Sequence, residues 1–144
     1  MISLPFILAI ASIPLSIGLA YINYKAILKE LVGFWWHTIQ FFLLVCLGLT
    51  FGHFVLEKEL IEITLYVTLL GSTHWIVFDL SLNSFRGLPY DYVGYNSTLD
   101  KTWRKLTKGL GEANTRTLFI VMKLVLFFFT MAALHIINEQ FISL

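Results

Sequence analysis

Five polar side chains recur along one apolar stretch: Thr68, Ser72, Asp79, Asn83 and Arg86, at offsets of 4, 11, 15 and 18 from the first. At about 100° per residue these positions fall within about 60° of one another, so a helix would carry them on one face. A carboxylate, an amide and a guanidinium in a row can form ion pairs, bind a headgroup or hold a proton. A second apolar stretch carries the complementary cation, Lys123. An ionised Asp at the centre of a membrane helix costs roughly 2.5–3.5 kcal/mol on insertion scales, so this face must turn toward protein or water. Asp79 and Lys123 are expected at similar depth, near the cytoplasmic ends of their helices. Lys123 then has two readings: it pairs with Asp79, or its stem snorkels to the interface. His37 and Gln40 are placed to join the same polar cluster.

Metal chemistry has little support. His53, Glu62 and His135 all map near the outer boundary, but their spacing matches no ligand motif such as His-Glu-x-x-His, and His and Glu at span ends are ordinary interfacial residues. His74 falls near mid-membrane and faces away from Asp79. The chain lacks a Gly-rich phosphate loop, a Gly-x-Ser-x-Gly elbow and a close pair of carboxylates, and neither cofactor nor metal is expected. The single cysteine, Cys46, sits in an apolar run and reads as a small buried residue rather than a reactive thiol.

Between the two charged stretches lies the longest loop. Its first part, Arg86 to Tyr95, contains Gly87, Pro89 and Gly94, which disfavour continuous helix. Tyr90, Asp91, Tyr92 and Gly94, with Asp100 beyond, form a tyrosine-rich segment that reads either as interfacial aromatics or as a folded recognition loop. In the second part, helical from 98 to 110, Leu99, Trp103, Leu106 and Leu110 fall on one narrow face, and Lys101, Arg104, Lys105 and Lys108 fall opposite. Such a helix lies in the membrane interface. Attraction to anionic lipid headgroups is worth about 1 kcal/mol per basic residue near the surface. No base-reading module accompanies the basic residues, so nucleic acid is not an expected partner.

The elements that must position these residues follow from composition. At 58% hydrophobic and 13% charged, with mean hydropathy +0.79, the chain is too apolar for a soluble domain. Four stretches are long enough to cross a bilayer at about 20 residues each: 2–24, 33–56, 60–82 and 117–138. The expected fold is therefore an all-α, integral membrane four-helix bundle, forming a single transmembrane domain with a short cytoplasmic amphipathic helix inside the loop 83–116. Lys25, Lys29, Arg86, Lys101, Arg104, Lys105, Lys108 and Arg116 fall in alternate connections, against only Lys58 on the opposite side. This places loops 25–32 and 83–116 in the cytoplasm and both termini outside, in a multi-pass protein of the cell membrane. A cleaved signal peptide at Gly18-Leu19-Ala20 is the competing reading of the first stretch. It lacks a basic n-region and would put those eight residues outside. Lipid-facing aromatics are expected at Phe127, Phe128 and Phe129. No internal repeat supports an inverted-repeat transporter.

The segment Phe78-Asp79-Leu80-Ser81-Leu82-Asn83-Ser84-Phe85-Arg86-Gly87-Leu88-Pro89-Tyr90-Asp91-Tyr92-Val93-Gly94, followed by Leu99-Asp100-Lys101, resembles small uncharacterised membrane proteins of bacteriophages and their bacterial hosts. It covers about a sixth of the chain. The resemblance implies a phage or prophage origin and a site of interest at Asp79, Asn83, Arg86, Tyr92, Gly94, Asp100 and Lys101, but no activity. The expected function is that of a non-enzymatic membrane component that self-associates or binds a membrane partner, with a permeabilising or pore-forming role as one form of it. The alternative is a small membrane enzyme or lipid-headgroup binder using the cytoplasmic polar site. An enzyme requires those polar groups to converge on a concave pocket, whereas a scaffold buries them against each other.

Overall fold

The computed structural model describes residues 4–29, 42, 45–46, 48–50, 59–94 and 98–142. Its long elements are α1 (Leu4–Leu28), α2 (Leu60–Phe85), a short α3 (Thr98–Leu106) and α4 (Glu112–Ile142), with no strand among the described residues. Among the described residues, three helices are long and apolar enough to cross a membrane: Pro5–Leu28, Leu60–Phe85 and Glu112–Ile137. The expected span at 33–56, with His37, Gln40 and His53, lies outside the described residues apart from 42, 45–46 and 48–50, which are helical.

α2 is the middle helix, packed on α1 along one side and on α4 along the other. The α1 contact uses small and polar residues, as expected where no water drives association and close approach must supply the attraction. Ala9 meets Tyr66 and Leu69, Ser16 meets His74, Ala20 meets Phe78 and Leu82, and Tyr21 and Tyr24 meet Phe85. The partners rise together in number, so α1 and α2 run parallel. Toward α4 the order reverses: Trp75 and Asp79 lie against Phe119 and Lys123, whereas Tyr66 and Leu69, earlier in α2, cluster with Leu134, later in α4. α2 and α4 are therefore antiparallel.

This geometry places the C-terminal ends of α1 and α2 and the start of α4 at one end of the layer. Lys25, Lys29, Arg86, α3 and Arg116 all gather there, as the alternating charge pattern requires. Lys29 and Glu59 stand at opposite ends of the helices, about 37 Å apart along a helix of the length of α1.

Polar side chains inside the apolar helices are satisfied locally. Ser12, Ser16, Asn23, Thr64, Thr68, Thr73 and Thr130 each donate to a carbonyl three or four residues earlier, which removes the cost of an unpaired donor in hydrocarbon. Gly48 approaches α2 so closely that a Cβ there would stand 2.8 Å from a Val67 methyl carbon. Outward faces are apolar, with Ile10, Leu15 and Ile22 on α1 and Val125, Phe128 and Phe129 on α4 all exposed.

The ends are built by specific devices. α2 closes on Gly87, whose φ of 66° suits a residue without a Cβ. Gly87 N donates to Ser84 O and Leu88 N to Asn83 O, the paired bonds of a Schellman motif. α3 ends at Leu106, one turn short of the expected 110. The Thr107 hydroxyl donates to Trp103 O, and the turn that follows passes through Gly109 at φ 101° and Gly111 at φ 79°. Leu110 thus stands beyond the helix.

Candidate functional site

Asp79 and Lys123 meet across the α2–α4 contact, where the ammonium donates to carboxylate Oδ2. Each belongs to a matching pair on its own helix: Trp75 precedes Asp79 by four residues, and Phe119 precedes Lys123 by four. Residues so spaced share a face. The two aromatic rings meet across the same contact, at 5.4 Å in an edge-to-face arrangement. Lys123 Nζ lies 4.2 Å from the Phe119 ring centroid and 4.8 Å from that of Trp75. The Lys123 side chain is only 6% exposed, whereas Asp79 retains 30%. The cation is therefore enclosed by two π-faces and its counter-ion, and pairing rather than snorkelling describes it.

The loop above the pair is held by two residues. Asn83, nearly buried, donates from its amide to Tyr92 O at 3.0 Å and Tyr90 O at 3.3 Å. Its amide thus fixes the tyrosine segment, and Tyr92 N closes a turn on Pro89 O. Arg104 grips the next residues: its guanidinium donates to Val93 O and Gly94 O, and makes a two-pronged contact with Glu112 at 2.6 and 2.9 Å. Planar five-donor geometry is what allows one side chain to hold two carbonyls and a carboxylate. Glu112 is shared with Arg116 at 3.0 Å. Arg116 in turn lies 3.9 Å from Asp91 and over the Tyr92 ring. Val93 is almost completely buried, so the segment is a folded loop pinned on α3 and α4. At Gly94 a Cβ would come 2.5 Å from the Asp100 carboxylate, so a larger residue there would have to turn the Asp100 side chain aside.

Several expected site residues are placed differently from the sequence reading. Arg104 and Trp103 do not face outward with the other interfacial residues: Arg104 is turned onto the loop, and Trp103 donates from its indole to Thr115 O at 2.9 Å and lies against Phe119. Lys101, Lys105 and Lys108 are exposed, as are Leu99, Leu106 and Leu110. Ser72 is buried and donates to Leu69 O, and Arg86 is exposed at the end of α2. Glu62 is buried and His135 exposed, and the described residues contain no group of three or more His, Cys, Asp or Glu able to hold a metal. His74 does face away from Asp79, with Nδ1 3.0 Å from Ser16 Oγ on α1.

The aromatic partners Trp75 and Phe119 and the clasp residues Glu112 and Arg116 were not singled out from sequence. The signal was present: an aromatic four residues before each membrane charge, and an i, i+4 acid–base pair opening α4.

Asp79, Lys123 and the Tyr90–Tyr92 segment line one cavity of about 240 Å³, walled by Ile76, Leu80, Ile120 and Leu124. This is below the roughly 300–1,000 Å³ of pockets that enclose small-molecule ligands. The chain matches no protein-family model, no curated protein and no solved structure, so functional reasoning rests on this geometry alone.

Proposed function

We propose that the chain is a non-enzymatic, multi-pass membrane component that acts by self-association or by binding another membrane protein, with the loop end in the cytoplasm. One observation carries this reading: the polar groups that a catalyst would present are engaged with one another. Lys123 is neutralised by Asp79 and enclosed by two rings, Asn83 holds the loop, and Arg104 holds the loop and Glu112. Such a network fixes a shape and leaves little to touch a substrate. The parallel run of α1 and α2 supports a further crossing between them, and the basic residues gathered at one end support the cytoplasmic assignment. On the outward face of α1, no atom of the described residues lies within 4 Å of where a Cβ at Gly18 would stand, which suits close approach of another helix.

The deciding experiment is the stoichiometry of the full chain in nanodiscs, measured by mass photometry or single-molecule bleaching, combined with crosslinking in cell membranes. A stable oligomer, or one reproducible membrane partner crosslinked through the α1 face, is the expected result. A monomer that crosslinks to nothing, and whose Gly18→Leu variant behaves like the parent, would overturn it.

A further inference from the structure

The cavity between α2 and α4 has two unlike halves. Its wall is Ile76 and Leu80 from α2 with Ile120 and Leu124 from α4. Leu80 and Leu124 are each 39% exposed, so the wall opens sideways, on helices long enough to span a bilayer. The rim is the tyrosine loop, where Tyr90 is 71% exposed and Asp91 lines the opening. Arg116 stands beside Asp91 at 3.9 Å, with both side chains about three-quarters buried. A groove that is apolar along the helices, with one carboxylate at its mouth and one guanidinium beside that carboxylate, has the polarity profile of a phospholipid.

We propose that this groove binds one phospholipid of the surrounding bilayer through a zwitterionic headgroup bearing a primary ammonium. An upper segment of one acyl chain lies against Leu80 and Leu124, the phosphate is drawn to Arg116, and the ammonium donates to Asp91. The charges decide the class. Asp79 and Lys123 cancel, and Asp91 and Glu112 together balance Arg104 and Arg116, so the site is neutral as a whole with separated signs at its rim. A headgroup of net negative charge would meet the Asp91 carboxylate without a cation to offer it. A quaternary ammonium carries a charge but no N–H to donate, so it forfeits the charge-assisted hydrogen bond. The cavity holds only part of a lipid, as a lateral groove does, and the rest remains in the bilayer. This site is independent of the assembly proposed above and of the attraction of exposed α3 lysines to anionic lipid.

The test uses the full chain, delipidated in detergent and reconstituted with phosphatidylethanolamine, phosphatidylcholine and phosphatidylglycerol of identical acyl chains at equal mole fractions. Lipid retained after re-extraction is counted by native mass spectrometry. One retained phosphatidylethanolamine per chain, about fivefold over either competitor, is expected, the scale of a single partly screened ion pair. Asp91→Asn should bring the three lipids to parity, and Leu80→Trp, which fills the groove, should reduce retention of all three. Ile120→Trp repeats the groove test from the opposite helix, with helix content by circular dichroism as the folding control. Lys101, Lys105 and Lys108→Gln together should leave the preference unchanged. Equal retention of the three lipids by the parent, a preference for phosphatidylglycerol, or a preference that survives Asp91→Asn would overturn the proposal. Retention indifferent to both tryptophans in folded protein would do the same.

Discussion

Replacing Asp79 or Lys123 by leucine, singly and together, asks how the charge pair is held. Removing one member of a buried pair costs about 3–5 kcal/mol because the other charge is stranded. In Asp79→Leu the stranded group is the Lys123 ammonium, almost fully buried. The two aromatic faces remain, however, and a desolvated cation–π contact offsets about 1–2 kcal/mol. A net loss of about 2–3 kcal/mol is expected. In Lys123→Leu the stranded group is a carboxylate that retains 30% exposure, so water or a rim cation can reach it, and a smaller loss of about 1–2 kcal/mol follows. The double substitution removes the stranding altogether and should lie within about 1 kcal/mol of the parent, since buried pairs exchange for apolar residues at little net cost. The coupling is then about 2–6 kcal/mol of non-additivity. The assay is reversible unfolding in mixed micelles followed by circular dichroism or steric trapping, with Phe128→Ala as an exposed control. Additivity within about 0.5 kcal/mol would refute the contact. A larger loss for Lys123→Leu than for Asp79→Leu would refute the exposure argument behind the ordering.

Arg104→Lys keeps the charge but loses the fork, so it should destabilise by about 1–2 kcal/mol and raise hydrogen exchange across 86–94; unchanged exchange would mean that the loop is held by Val93 burial alone. A cysteine at Lys58 should label from outside intact cells and one at Lys105 only after permeabilisation, and outside labelling of Lys105 would sink the proposed orientation. A spin label at Leu106 should sit within the headgroup region in anionic nanodiscs and move outward at high salt or with Lys101, Lys105 and Lys108→Gln; a depth independent of both would show that α3 does not bind through its charges.

Helix positions were legible from hydropathy because a membrane span has to be long and nearly uncharged. α2 begins where the sequence reading begins it, at Leu60. Its end was legible only approximately, since the helix continues past Leu82 to Phe85 before Gly87 closes it. Of the polar stripe, Ser72 and Asn83 are buried and Asp79 meets Lys123, whereas Arg86 is exposed at the helix end; the level of Asp79 with Lys123 followed from their distances to the ends of their apolar stretches. The clasp was not legible. In α3 the basic and apolar faces separate so cleanly by angle that Arg104 was assigned with its lysine neighbours. Which cation turns inward depends on the position of the Val93 and Gly94 carbonyls, and those are set by a loop whose path no periodicity encodes. The span expected at 33–56 falls outside the described residues for most of its length.

The burial of Lys123 between helices has a bearing on how the chain is made. A lysine well inside a spanning segment weakens the partition of that segment from the translocon into lipid, by about 2.5–3.5 kcal/mol if it lies near the centre. α2, emerging earlier, carries the carboxylate that removes this penalty, and the clasped loop holds the two segments in antiparallel register. α4 should therefore enter the bilayer alongside α2 as a hairpin, with Lys123 neutralised during insertion instead of after it.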